Sequence, residues 1–157
     1  MSLLRPTQAR WTSSRLCATI LFALAAWGSM YTGLSLHPLP DGASVRTAFA
    51  AALVSGMIAG WLHMQRALGV GVWRAALGGV STGVSGLIYF LLLAGLYDIV
   101  KSYRYTKFDS ATDLLDHIVL KMLDVLSMAV ETQTFATILV GSLMAGIYAE
   151  YVRRVWD

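Results

Sequence analysis

At 157 residues, 57% hydrophobic and 13% charged, the chain is too apolar for an ordinary soluble domain, and its length suits one small bundle rather than two domains. The formal net charge of +3 is too modest to mark a nucleic-acid binder, and a single cysteine, Cys17, excludes an internal disulfide. Seven Met and five Trp suit bilayer packing and interface anchoring, so lipid is the solvent against which every segment is read.

The first fifteen residues carry Arg5, Arg10 and Arg15 and no acid, and an apolar run from Leu16 to Leu36 follows. A basic start before an apolar stretch has the form of a signal peptide, with small residues at Ala23-Leu24-Ala25. The apolar run continues well past that point, as an anchor does, so an uncleaved first span is expected over about 16–36. The turn His37-Pro38-Leu39-Pro40-Asp41-Gly42 cannot continue a helix.

A second span is expected over about 45–64. Its Ala48, Ala52, Gly56 and Gly60 recur every four residues and so share one helix face. In lipid there is no hydrophobic drive between helices, and close backbone approach along such a stripe supplies the packing. The basic connector His63 to Arg74 carries Gly69 and Gly71.

The third span, about 75–100, organises the chain. From Ala75 to Tyr97 it has no charge and no proline, which is ample for the ~20 apolar residues that a crossing helix needs. Gly79 and Gly83 again lie four apart, and the bulky second half, LIYFLLLAGL, is expected to face lipid. Asp98 and Lys101 are candidates for an ion pair at the mouth of this span.

After Tyr97 the sequence turns charged and aromatic, and Ser110 with Asp113 resembles a capping box. Over about 110–131 the residues Leu114, Leu115, Ile118, Val119, Met122, Leu126 and Ala129 keep helical spacing, with Asp113, His117, Asp124 and Glu131 placed opposite. Asp116, Lys121 and Asp124 would each cost ~2.5–3.5 kcal/mol near a bilayer centre. This segment is therefore expected to be an amphipathic helix in the interface or packed on the bundle. The last span, about 132–151, carries Gly141 with Ala145, and Glu150 stands beside Arg153 and Arg154. The fold class is thus all-α: one polytopic membrane domain over 1–157, with four transmembrane helices and an amphipathic helix between the third and fourth.

Four spans put both termini on one side. That side holds seven arginines (Arg5, Arg10, Arg15, Arg66, Arg74, Arg153, Arg154) against Glu150 and Asp157, while the other holds five basic residues against seven acids. Basic flanks stay inside, so both termini are expected to be cytoplasmic. The second and fourth spans also echo each other, LVSGMIAG from Leu53 against LVGSLMAG from Leu139, which fits either two parallel hairpins or shared packing needs.

No mid-span position holds an ionisable side chain, and no span holds a proline, which disfavours an ion path or broken-helix transporter acting alone. His37, His63 and His117 are dispersed, and there is no CxxC, HExxH or phosphate loop. No catalytic, cofactor-binding or metal residue is expected, and the protein is not expected to be an enzyme. The singled-out residues are the packing set Ala52, Gly56, Gly60, Gly79, Gly83, Gly141 and Ala145, and a candidate anion contact at Arg66 and Arg74. Positive-inside anchoring explains the same two arginines.

Four features resemble the TrgA family of small bacterial membrane proteins, labelled tellurium-resistance proteins. They are the Leu96-Tyr97-Asp98 exit, the Arg/Tyr-rich stretch to Phe108-Asp109, the amphipathic segment, and the tail with Ala149, Glu150, Tyr151, Arg153 and Arg154. The resemblance covers most of the chain and is strongest from Leu96 to Trp156. It implies the bacterial cytoplasmic membrane and an association with tellurite tolerance, but no catalytic residues. Reducing tellurite to tellurium takes four electrons, which a lone Cys17 cannot supply, so any tolerance is indirect. The expected role is that of a non-enzymatic accessory or assembly subunit. Its partners are the bilayer and other membrane subunits or itself, with no nucleic acid. The alternative is a component of an oxyanion (tellurite) transport or efflux system.

Overall fold

A computed structural model describes residues 13–36, 44–102 and 111–156. Among these the chain is helical throughout its regular structure. The elements are α1 (Ser13–Leu36), α2 (Val45–His63), a 3-10 turn (Met64–Arg66), α3 (Val72–Ser102), α4 (Ala111–Val130) and α5 (Thr132–Trp156). Helices α1, α2 with its 3-10 turn, α3 and α5 are each long and apolar enough to cross a membrane. The chain is an all-α polytopic membrane protein. The turns at 37–42 and the Ser110 cap lie outside the described residues.

The four long helices close into a ring in the order α1–α2–α3–α5, with α1 facing α3 across it. This order follows from where the small residues stand. Gly56 and Gly60 of α2 are buried against α1, while Ala59, also buried, lies beside Gly86 of α3. A Cβ on Gly60 would sit 2.9 Å from the Ala18 carbonyl oxygen, and one on Gly56 would strike the carbonyl of Phe22. On the opposite side of the ring, Gly79 of α3 and Gly146 of α5 face each other, and a Cβ on Gly79 would lie 3.1 Å from the Gly146 Cα. Backbone-to-backbone contact replaces side-chain interdigitation at both seams.

The start of α1, the end of α2, the start of α3 and the end of α5 meet at one end of the ring. Ala18, Phe22, Met64, Ala75, Ala145 and Ala149 form the core there, and Met64 is fully buried. The outer faces remain apolar, with Ile20, Leu24, Leu77, Ile88, Leu92, Leu96 and Val140 all exposed. A soluble protein would not carry so much contiguous exposed apolar surface, whereas lipid tails solvate it.

Helix α3 has 31 residues, ~46 Å at ~1.5 Å per residue, and so overreaches a ~30 Å hydrocarbon layer. Its overhang carries α4. Ile118 and Met122 pack over Gly95, at 3.2 and 3.7 Å from where its Cβ would stand.

Two details differ from the sequence reading. The second half of α3 is two-sided: Ile88, Leu92 and Leu96 point outward, but Leu91 is buried and Leu87, Phe90 and Ala94 face the bundle interior. Helix periodicity forces this, because a bulky run that wraps the whole circumference must turn one face to its neighbours. His117, read as part of the outer polar face of α4, turns instead toward α3, where its Nε2 lies 2.8 Å from Asp98 Oδ2. Leu115, Val119 and Leu123 take the outward positions.

Candidate functional site

Two features stand out from the general packing: a buried carboxylate at the tight end of the ring and a cavity toward the other end. The carboxylate belongs to Glu150, which is fully buried although it lies less than two turns from the end of α5. Its Oε2 accepts the backbone N–H of Gly69 at 2.8 Å and Arg153 Nε–H at 3.1 Å. Its Oε1 accepts from Arg154 Nε at 3.1 Å and Arg153 Nη2 at 3.3 Å. The i+3 and i+4 spacing brings both guanidinium groups to one carboxylate. Gly69 has φ +89°, a left-handed conformation open to glycine at little cost, and this turns its N–H toward Glu150. The arginines are 36% and 52% exposed, so the charge-assisted bonds reach from the carboxylate out to the surface. The group is a latch between α5 and the α2–α3 connector.

Near it, His63 Nε2 and Tyr89 Oη are 2.7 Å apart, which gives His63 a partner on α3, while the adjacent Met64 is enclosed in the core. The two do not present a joint ligand pair. Among the described residues no group of three or more His, Cys, Asp or Glu is placed to hold a metal ion.

The cavity lies inside the ring and measures about 190 Å³. Phe22 and Ser29 on α1, Ser55 on α2, Thr82 and Phe90 on α3 and Ser142 on α5 are among its walls, and Asp124, Val125 and Ala129 of α4 close one flank. Several of its hydroxyl groups are spent on backbone carbonyls of their own helices. Ser29 donates to Ala25 O at 2.8 Å, Ser55 to Ala52 O at 2.9 Å and Thr82 to Gly78 O at 2.7 Å. The surface left facing the void is almost wholly apolar. Thr134, in the first turn of α5, differs: it is 5% exposed, forms part of the wall, and its Oγ1 has no hydrogen-bond partner.

No family model, curated protein or solved structure matches the chain.

The packing residues singled out in the sequence fall on three seams. Gly56 and Gly60 lie against α1, with Ala52 buried on the same stripe of α2, Gly79 and Gly83 lie against α5, and Gly141 lies against Ala25 of α1, whose Cβ would be 3.1 Å from one on the glycine. Ala145 is in the core cluster. Ala52, Gly56 and Gly83 also line the cavity. Arg66 and Arg74 are both exposed and neither lines the cavity. Asp98 has His117 of α4 as a partner, because the overhang of α3 brings the two helices side by side, and the side chain of Lys101, the partner expected from the sequence, lies outside the described residues.

Sequence reasoning missed the Gly69 partner of Glu150 and the cavity. The i, i+3, i+4 pattern Glu150-Arg153-Arg154 was visible as an interfacial pair. Nothing local indicated that the carboxylate was buried or that a connector 81 residues earlier supplied a donor.

Proposed function

We infer that this chain is a non-enzymatic accessory or assembly subunit of a bacterial cytoplasmic membrane, with both termini on the cytoplasmic side. The observation that carries this reading is the distribution of polar chemistry. Among the described residues, the charged groups of the four long helices gather toward their ends, as in the Glu150 latch and Asp98, and the others lie on α4 or directly after it, while the cavity wall is almost wholly apolar and the outer faces of the ring carry large exposed hydrophobic residues. Such a body offers surfaces for lipid and for neighbouring helices and little for polar substrates. The basic residues at the terminal side support the orientation through the positive-inside rule. The TrgA resemblance supports a part in tellurite tolerance, exerted indirectly.

The test is extraction in a mild detergent followed by identification of what co-purifies. A stoichiometric membrane-protein partner is the expected result. Recovery of the chain alone, together with unaltered tellurite tolerance in cells lacking it, counts against the role.

An oxyanion carrier is the competing reading, and it would use Arg66 and Arg74 between protomers. An anion path needs cations facing it, whereas the cavity wall of one protomer is apolar and includes Asp124. Arg66→Ala and Arg74→Ala decide the matter. Lost tolerance at unchanged protein level favours the carrier, and retained tolerance favours the accessory role.

A further inference from the structure

The cavity is long and narrow. On α5 its wall runs from Thr134 to Ser142, eight residues, or ~12 Å of helix at ~1.5 Å per residue. On α1 it runs from Phe22 to Leu34, or ~18 Å by the same rise. Yet its 190 Å³ is only a little more than the about 150 Å³ of an apolar cavity that takes one benzene. A volume of that size drawn out along the bundle axis has the shape of an alkyl chain, not of a ring. An extended chain advances ~1.3 Å per carbon from tetrahedral C–C bonds of ~1.5 Å, so ~12 Å takes about nine carbons.

An empty apolar void forfeits the dispersion contacts of every atom that lines it. The ring stands among lipid tails, the most abundant molecules able to restore those contacts. Thr134 adds a polar requirement at one end. The residue four positions earlier belongs to α4, across the bend at Glu131, so the intrahelical bond made by Ser29 and Thr82 is not made here. A buried hydroxyl without a partner costs ~1–3 kcal/mol, which a bound acceptor recovers. One staggered step about χ1 carries the hydroxyl of a threonine into the place of its methyl, so the Thr134 hydroxyl has more than one direction open to it along the wall. Thr134 stands in the first turn of α5, and the polar ester groups of a lipid lie toward the ends of spanning helices rather than at their middles. Asp124 in the wall repels a free carboxylate, which selects an ester over a fatty acid.

We propose that the bundle interior binds one acyl chain of a membrane lipid, with about nine carbons inside the cavity and the Thr134 hydroxyl donating to the ester carbonyl.

The protein is reconstituted in phosphatidylcholine vesicles doped with a phosphatidylcholine that carries a photoactivatable diazirine at mid-chain. After irradiation, adducts are mapped by peptide mass spectrometry. The expected result is labelling of the inward residues Ser55, Thr82 and Phe90 as well as the outward Ile88 and Leu92. Thr134→Val removes the hydroxyl at nearly constant volume and leaves no unsatisfied group. It lowers inward labelling at least fivefold with outward labelling unchanged. Ala48→Leu, which narrows the void without touching Thr134, does the same. Adducts confined to the outward residues, as an empty or water-filled cavity gives, overturn the proposal. So does inward labelling that persists at full strength in Thr134→Val.

Discussion

His117 Nε2 lies 2.8 Å from Asp98 Oδ2, which ties the middle of α4 to the overhang of α3. The pair is 41% and 25% exposed, so solvent weakens it, and hydrophobic contact of Ile118 and Met122 with α3 carries the rest of the docking. His117→Ala removes about 0.5–1 kcal/mol from the docking of α4. Amide exchange in α4 is expected to rise about two- to fivefold by that energy, with α1, α2 and α5 unaffected. Equal exchange in the variant and the parent would show that the pair contributes nothing.

The Glu150 latch predicts an asymmetry between its two sides. Replacing both Arg153 and Arg154 by Ala strands a fully buried carboxylate with only the Gly69 N–H, and breaking a buried pair in this way costs ~3–5 kcal/mol. Glu150→Gln keeps an oxygen for Gly69 and leaves two arginines that already reach solvent, so it costs less, about 1–2 kcal/mol. Unfolding by graded denaturing detergent should therefore rank the double arginine variant below Glu150→Gln. The reverse order would mean that the carboxylate is not desolvated.

The glycine seams give a prediction with an internal control. A Cβ at Gly146 would strike the Ala75 carbonyl, and one at Gly79 would strike that of Ser142, so Gly146→Ala and Gly79→Ala must push the helices apart. Overpacking of this kind costs ~1–3 kcal/mol. Gly28 sits in the same fold with nothing within 4 Å of its Cβ position, and Gly28→Ala should be neutral or stabilising. Thermal stability in detergent measures all three. A loss at Gly28 equal to that at Gly146 would remove the seam as the cause.

Gly69 and Gly71 both have positive φ, +89° and +114°, but only Gly69 has a neighbour at its Cβ position, Arg153 Cζ at an ordinary contact distance of 3.5 Å. Gly69→Ala is expected to lower stability by about 1–2 kcal/mol through backbone strain. Combined with Arg153→Ala, the loss should be less than the sum, since both changes act on the same latch. Simple additivity would separate the connector from α5.

The long apolar helices were legible because lipid tolerates few charges over twenty residues, and that constraint is written in one dimension. The four-residue spacing of Gly56 with Gly60 was legible as a face, but which helix would cover it was not. That depends on the ring order, in which α4 is skipped and α5 closes against α1. The His117 partner of Asp98 was not legible because the two are distant in sequence and come together only when α4 folds back. The cavity left no mark in the sequence at all. It is space that no residue occupies, bounded by alanines and glycines that pack closely at one end of the ring and stand apart at the other.

The bond between Gly69 and Glu150 joins two points 81 residues apart in the chain. A ribosome releases Gly69 into the membrane long before it has made the residue that Gly69 waits for. Until α5 enters, the Gly69 N–H lacks its carboxylate partner, and α1, α2 and α3 form an open trough along which α5 must later lie. Closure of the ring therefore waits on α5, and a truncated product lacking it carries an unlatched seam in which Gly79 and Gly83 have lost their cover.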